Sequence, residues 1–233
     1  MRSLSLLAAI LCMGLTVAGV NHQLIHGNNV ALEPHSGVAS FAKPATHPPT
    51  ALRYQLDASQ SKFIAHALAG GLLWFKGHDH LVAVRDFTGE ARLTPNSITT
   101  ASLLITAKTA SMVETSSVFT EPQKQIINKE LREIVLLPDQ YPEIVFKSTS
   151  VSGKVTSPNQ YDLKIAGNLT LHGVTRQINI PTTVTVTGSE LRARGEFSIS
   201  RDDFKVKATS AVHGLVRVKD RVKFTFDIVG HQQ

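Results

Sequence analysis

From Leu52 to the C-terminus the chain alternates apolar and polar positions, the period of half-buried β-strands. The pattern is clearest near the end, where Val216, Val218, Val222, Phe224, Phe226 and Ile228 share one face and Arg217, Lys219, Arg221, Lys223, Thr225 and Asp227 share the other. A slip of one residue would bury the charged row, so the register is strongly specified. The same alternation sets Leu163, Ile165, Leu169 and Leu171 opposite Asp162, Lys164, Asn168 and Thr170. It also sets Leu191, Ala193, Phe197 and Ile199 opposite Arg192, Arg194, Glu196 and Ser198. These are antiparallel strands with one solvated face. Further candidate strands lie near Tyr54, near Ile64, near Leu103, from Ile144 to Val151 and from Gln177 to Val186. Between Val82 and Leu93 the apolar parity switches, and one extra residue near Arg85 and Asp86 predicts a β-bulge there.

One segment departs from the period of two. Thr120-Glu121-Pro122-Gln123 has the spacing of a capping box, and Ile127, Leu131 and Ile134 follow at helical spacing. The expected helix runs from about Glu121 to Val135 and stops before Pro138. Its apolar stripe is narrow and its other face carries Lys124, Lys129, Glu130, Arg132 and Glu133, so it suits a helix lying over one opening of a barrel. About eight long strands in one domain resolve their unpaired edges by closing, which predicts an all-β, eight-stranded antiparallel barrel with this amphipathic helix near an opening. Such a barrel is filled by side chains or holds one small ligand. A two-sheet sandwich is the architectural alternative.

Composition agrees with a globular chain: of 233 residues, 42% are hydrophobic and 18% charged. The excess of 24 Lys and Arg over 18 Asp and Glu is a mild bias toward anionic surroundings and not a nucleic-acid signature. The N-terminus changes the picture more. Arg2 precedes an uncharged, Leu- and Ala-rich stretch from Ser3 to Val20 that ends in small residues, the pattern of a secretory signal peptide over residues 1–19. An uncleaved anchor is the other reading. Residues 20–51 show no sustained period and collect His, Asn, Pro and Gly, as a flexible linker does, leaving 52–230 as the barrel. The single cysteine, Cys12, falls inside the leader, so no disulfide framework or thiolate metal site is expected in the mature protein. The expected location is periplasmic or secreted.

His78-Asp79-His80 is the sharpest chemical feature, since two imidazoles beside a carboxylate could ligate a metal or shuttle a proton. No His-x-x-x-His helix spacing around the triplet and no cysteine partner supports a metal, and Gly77 ahead of the triplet favours a hydrogen-bonded turn at the barrel mouth. The chain has neither a strained Gly-x-Ser-x-Gly elbow nor a glycine-rich phosphate loop, and no cofactor is expected.

Four stretches carry a resemblance: Tyr54-Gln55-Leu56-Asp57, Tyr141 to Ser148, Ile165 to Arg176, and Ser200-Arg201-Asp202-Asp203-Phe204. In this order, from about Leu52 to Val229, they resemble the YceI-like family of exported, lipocalin-like bacterial proteins. The resemblance implies an apolar tunnel that binds a polyisoprenoid or other long amphiphile, with no catalytic residues. Candidates to line it are Phe63, Trp74, Phe87, Leu103, Ile105, Phe146, Ile165, Leu169, Phe197, Phe224 and Phe226. Two other classes stay open: an enzyme of the barrel mouth using His78, Asp79 and His80, and a filled barrel with a structural or inhibitory role. The basic row Arg217, Lys219, Arg221 and Lys223, widened by Arg192, Arg194, Lys205 and Lys207, would offer peripheral contact with an anionic membrane. The oligomeric state is not legible in the sequence.

Overall fold

A computed structural model describes residues 50–73, 75, 77–211 and 216–233. The expected leader, nearly all of the expected linker and Trp74 lie outside the described residues. The strands are β1 (Leu52–Gly70), β2 (His80–Val84), β3 (Phe87–Thr94), β4 (Ser97–Lys108), β5 (Met112–Glu114), β6 (Glu143–Ser157), β7 (Gln160–Leu171), β8 (Val174–Thr187), β9 (Glu190–Ser200), β10 (Ser210–Ala211) and β11 (Val216–Gln232). Helix α1 (Glu121–Glu130) lies between β5 and β6.

The strands form one antiparallel barrel, in the order β1, β3, β4, β6, β7, β8, β9, β11, closed by pairing of β11 with β1. The short β2 and β5 extend the tracks of β3 and β4 toward one end, so eight tracks make the wall. Closure leaves no long unpaired edge, which is why strands of up to 19 residues are tolerated. The two candidate strands near Tyr54 and Ile64 are one strand, β1, with an irregularity between Asp57 and Lys62 against β11. Asp57 holds this irregularity locally: Oδ1 accepts hydrogen bonds from the Ser59 N–H and hydroxyl at 2.8 and 2.6 Å.

The bulge expected at Arg85 and Asp86 is instead a break between two strands. The Asp86 carbonyl accepts from the Lys108 N–H at 2.9 Å, and a 3₁₀ turn at Thr109–Ser111 interrupts the neighbouring track at the same level. The parity change read from the sequence is thus shared by two adjacent tracks rather than absorbed by one extra residue.

The helix forms where its cap predicts. Gln123 Oε1 accepts the Thr120 N–H at 2.8 Å, and Pro122 occupies the first turn, where its missing N–H costs nothing. After Glu130 the coil widens to a π-helical stretch over Leu131–Leu136, ended by Leu137 in the left-handed region (φ 48°). The wider turn changes the expected stripe. Ile134 is turned outward, 42% exposed, while Leu131 and Leu136 are buried.

The ends of the barrel differ. At one, the hairpin end, short turns join β3 to β4, β6 to β7 and β8 to β9. Tyr54 and Tyr161, each 1% exposed, are packed here with Leu93, and the Asn96 N–H donates to the Tyr161 hydroxyl at 2.9 Å. Burial, helped by Tyr161, pushes the Tyr54 phenol above its usual range. The other, the helix end, carries the 71–79 loop, the helical segment and the connection from β9 to β11.

Candidate functional site

Alternation along eight closed tracks directs one row of each strand inward, and the inward rows are almost wholly apolar. They do not fill the barrel. Two chambers remain, an inner one of about 120 Å³ toward the hairpin end and an outer one of about 170 Å³ toward the helix end. Phe63, Ala107, Ile144, Leu169 and Phe197 line both, so the chambers meet at a waist built from five strands. An apolar void of roughly 150 Å³ stays dry and accepts an apolar guest, because water there would forfeit its hydrogen bonds.

Aromatic rings shape the waist. Phe197 stacks on Phe224 with centroids 5.0 Å apart, and Phe63 meets Phe224 and Phe226 edge-on at 6.1 and 6.3 Å. Glycine makes room for them. Gly195 faces Phe226 across β9 and β11, and a Cβ there would lie 2.7 Å from the ring and 2.2 Å from the Pro181 carbonyl oxygen. Gly167 likewise admits the Phe146 ring, which would stand 2.5 Å from an added Cβ.

Nine of the eleven expected lining residues face the chambers. Leu103, Ile105, Phe146, Ile165 and Phe226 line the inner one, Phe224 the outer one, and Phe63, Leu169 and Phe197 both. Phe87 does not: it is buried in the core and edge-on to Phe63 at 6.4 Å. It shares the inward parity of Ala91 and Leu93 on β3, but it is packed in the core cluster with Leu56, Phe63 and Val84 rather than at a chamber wall.

Charged groups gather mainly at the outer chamber, where His80, Glu130, Arg201 and Lys207 join the lining with Thr209, while Arg92, Ser102 and Thr182 belong to the wall of the inner one. Arg201 Nη1 donates to Asp202 Oδ1 at 2.6 Å and to the Val206 carbonyl at 2.9 Å, while its buried Nε has no partner among the described residues. Sequence reading placed no weight on Arg201 or Lys207 as lining groups, since the turn after β9 breaks the alternation that would have signalled them.

The triplet divides among three roles. Asp79 Oδ1 accepts the Ala69 N–H at 2.8 Å, closing the loop that joins β1 to β2. His78 lies edge-on to Phe119, and His80 stacks on the same ring at 5.1 Å. His80 opens β2 and its Nδ1 lies 2.8 Å from Glu114 Oε2. Glu114, with a side chain that has no solvent exposure, also accepts the Leu81 N–H at 3.1 Å and the Ser116 N–H at 2.7 Å. Burial would raise its carboxyl, but these hydrogen bonds outweigh it and hold the group below the usual range. Glu114 was missed in the sequence, although its parity with Met112 places it on the inner face. Among the described residues, no three His, Cys, Asp or Glu side chains are placed to hold a metal ion.

Burkholderia cenocepacia BcnA is 20% identical, with a TM-score of 0.58 over 75% of this chain and 98% of that one. A polyisoprenoid binding domain from Saccharophagus degradans, implicated in plant cell wall breakdown, is 12% identical, with a TM-score of 0.55 over 78% and 99%. The Campylobacter jejuni YceI protein is 18% identical, with a TM-score of 0.50 over 65% and 84%. At these identities the likeness is one of fold. No curated protein matches the chain. The YceI-like domain family matches residues 54–230, nearly the whole of the barrel, and the chain belongs to that family.

Proposed function

We propose that the protein binds one long apolar chain, a polyisoprenoid or another amphiphilic lipid, along its barrel axis and carries it in the cell envelope without a covalent step. The observation that supports this most is the pair of apolar chambers meeting at an apolar waist, with most of the charged lining groups at the helix end. That is the arrangement an amphiphile needs: tail inside, head at the mouth. Each CH₂ moved from water into such a site contributes about 0.8 kcal/mol, so roughly ten of them supply about 8 kcal/mol, the scale of micromolar affinity before ordering costs. The Saccharophagus degradans neighbour named for polyisoprenoid binding supports the ligand class.

A mouth enzyme fits the geometry less well. His80 and Glu114 are committed to each other and to the backbone of β2 and the segment after β5, and Asp79 is spent on the Ala69 N–H. The expected periplasmic or secreted location belongs to the same reading, resting on the leader-like residues 1–19. No described helix is long and apolar enough to cross a membrane. Organic extraction of the purified protein, followed by lipid mass spectrometry, tests the proposal. A stoichiometric long-chain lipid is expected; a protein that yields none and takes up none when offered prenyl or acyl lipids contradicts it.

A further inference from the structure

The helix end presents an apolar tip that the cavity does not use. Leu72 is 76% exposed and Phe75 64% exposed, on the loop that leaves β1 at Gly70 and returns at His80. Exposed large apolar side chains at the tip of one loop mark an interaction surface. Both roots of this loop stand on the outer chamber. At one root, Ala69 pairs with Val218, which lines that chamber; at the other, His80 lines it directly.

Cations flank the tip. Gly70 pairs with Arg217, and the stem of Lys219 lies over Gly70 so closely that a Cβ there would be 2.8 Å from Lys219 Cγ. Arg217 and Lys219 are exposed and make no ion pair among the described residues. Of the other candidates for a basic face, Lys223 pairs with Glu196 at 2.7 Å, and Arg192 and Arg194 share Asp227 at 2.7 and 3.1 Å, while Arg221, Lys205 and Lys207 make no ion pair among the described residues. Three acids of this end are turned to internal work, Asp79 on the Ala69 N–H, Asp202 on Arg201 and Asp220 Oδ1 on the Asp202 N–H, while Glu130 and Asp203 are exposed without an ion pair among the described residues. The free basic charge of β11 therefore runs from Arg217 and Lys219, beside the tip, to Arg221, and Lys223 and the β9 arginines add little to it.

We propose that the 71–77 loop docks the barrel, mouth first, on an anionic lipid surface, with Leu72 and Phe75 entering the interface and Arg217 and Lys219 meeting the headgroups. A lipid surface suits these residues because apolar groups on a loop tip need only shallow insertion, while a lysine stem can lie along apolar surface with its ammonium at headgroup level. Each cation near such a surface is favourable and salt-sensitive over roughly 8 Å at physiological ionic strength. This docking stands apart from cargo identity, although it would set the mouth of the outer chamber against the bilayer.

The only tryptophan of the chain, Trp74, lies between Leu73 and Phe75 in sequence and reports on the loop directly. The test uses exported, processed protein with its N-terminus determined, and vesicles of phosphatidylcholine with or without phosphatidylglycerol. Expected are a blue shift of the Trp74 emission on the anionic vesicles, its quenching by brominated acyl chains, and at least tenfold weaker binding by L72S/F75S. R217E/K219E is expected to remove the preference for anionic over neutral vesicles. Absence of quenching in the unaltered protein overturns the proposal without recourse to any variant. So does unchanged binding by L72S/F75S, or a blue shift that follows protein concentration without vesicles, which would mark a contact between copies. A carrier whose extracted lipid is intact but whose loop fails these tests would lose the docking alone.

Discussion

His80 Nδ1 and Glu114 Oε2 stand 2.8 Å apart across β2 and β5, where the outer chamber meets the helical segment. The contact is one of several on Glu114, whose backbone N–H also donates to Asn128 Oδ1 of α1 at 2.7 Å. One buried carboxylate therefore joins β2, the residues after β5 and, through its own main chain, the helix over the mouth.

Replacing that carboxylate by an amide tests its part in the wall. Glu114→Gln keeps the volume and can keep its amide oxygen where Oε1 accepts from the Leu81 and Ser116 N–H, but it then sets an NH₂ against His80 Nδ1 in place of the Oε2 acceptor. A buried donor left unpaired costs about 1–3 kcal/mol, and for a protein of this size each kcal/mol lowers Tm by about 2–4 °C. Thermal unfolding followed by circular dichroism measures this. An unchanged Tm would mean that the cluster is not holding the wall.

Asp227 gives a pH-dependent prediction. Its carboxylate, 27% exposed, accepts from Arg192 Nε and Nη2 at 2.7 and 2.8 Å and from Arg194 Nε at 3.1 Å, bridging β9 and β11. Arg192 above all holds its pKa down to about 2, against 3.8 for an ordinary Asp. A depressed carboxyl stabilises the fold above its unfolded value, and this contribution is lost as pH falls through the folded one. Asp227→Asn is thus expected to cost about 1 kcal/mol at neutral pH, allowing for solvent screening, and progressively less between pH 4 and about 2. Urea unfolding of both proteins across that range gives the difference; a cost that does not shrink with acid contradicts the assignment.

Gly195→Ala addresses the waist from the wall side. The added methyl meets the Pro181 carbonyl, which is backbone and yields little, and the Phe226 ring, which yields by moving into the inner chamber. Overpacking of this kind costs about 1–3 kcal/mol. The variant is expected to be less stable and to bind long apolar probes more weakly, both measurable in one titration series. Wild-type stability would show that the strands separate more easily than their pairing implies.

Much of this barrel was legible because the alternation runs through β7, β9 and most of β11, interrupted there by Asp220, and a single slip reverses every side chain. The cavity wall followed from the same rows, which is why Phe197, Phe224 and Phe226 fell where expected. Whether those rows meet in the middle could not be read from periodicity, since it depends on ring packing and on glycines such as Gly195. Tertiary pairing also overrode local pattern: β1 runs through the polar stretch around Asp57 because β11 supplies its partners on both sides. The helix kept its cap but not its stripe, because the π-helical widening after Glu130 turns Ile134 out and Leu136 in. Arg201 and Lys207 reach the outer chamber from an irregular segment with no period to betray them.

The central claim is that one chain threads both chambers through the waist, and native mass spectrometry of protein recovered from the cell envelope tests it most directly. Ala107 lines both chambers, is buried and carries the smallest side chain of the waist, so Ala107→Phe places a ring in the passage while leaving the strand pairing intact. The account predicts one noncovalent long-chain adduct per wild-type molecule and its loss, or replacement by a shorter one, in the folded variant. No adduct on the wild type after exposure to long-chain lipids, or the same adduct on both proteins, would contradict it.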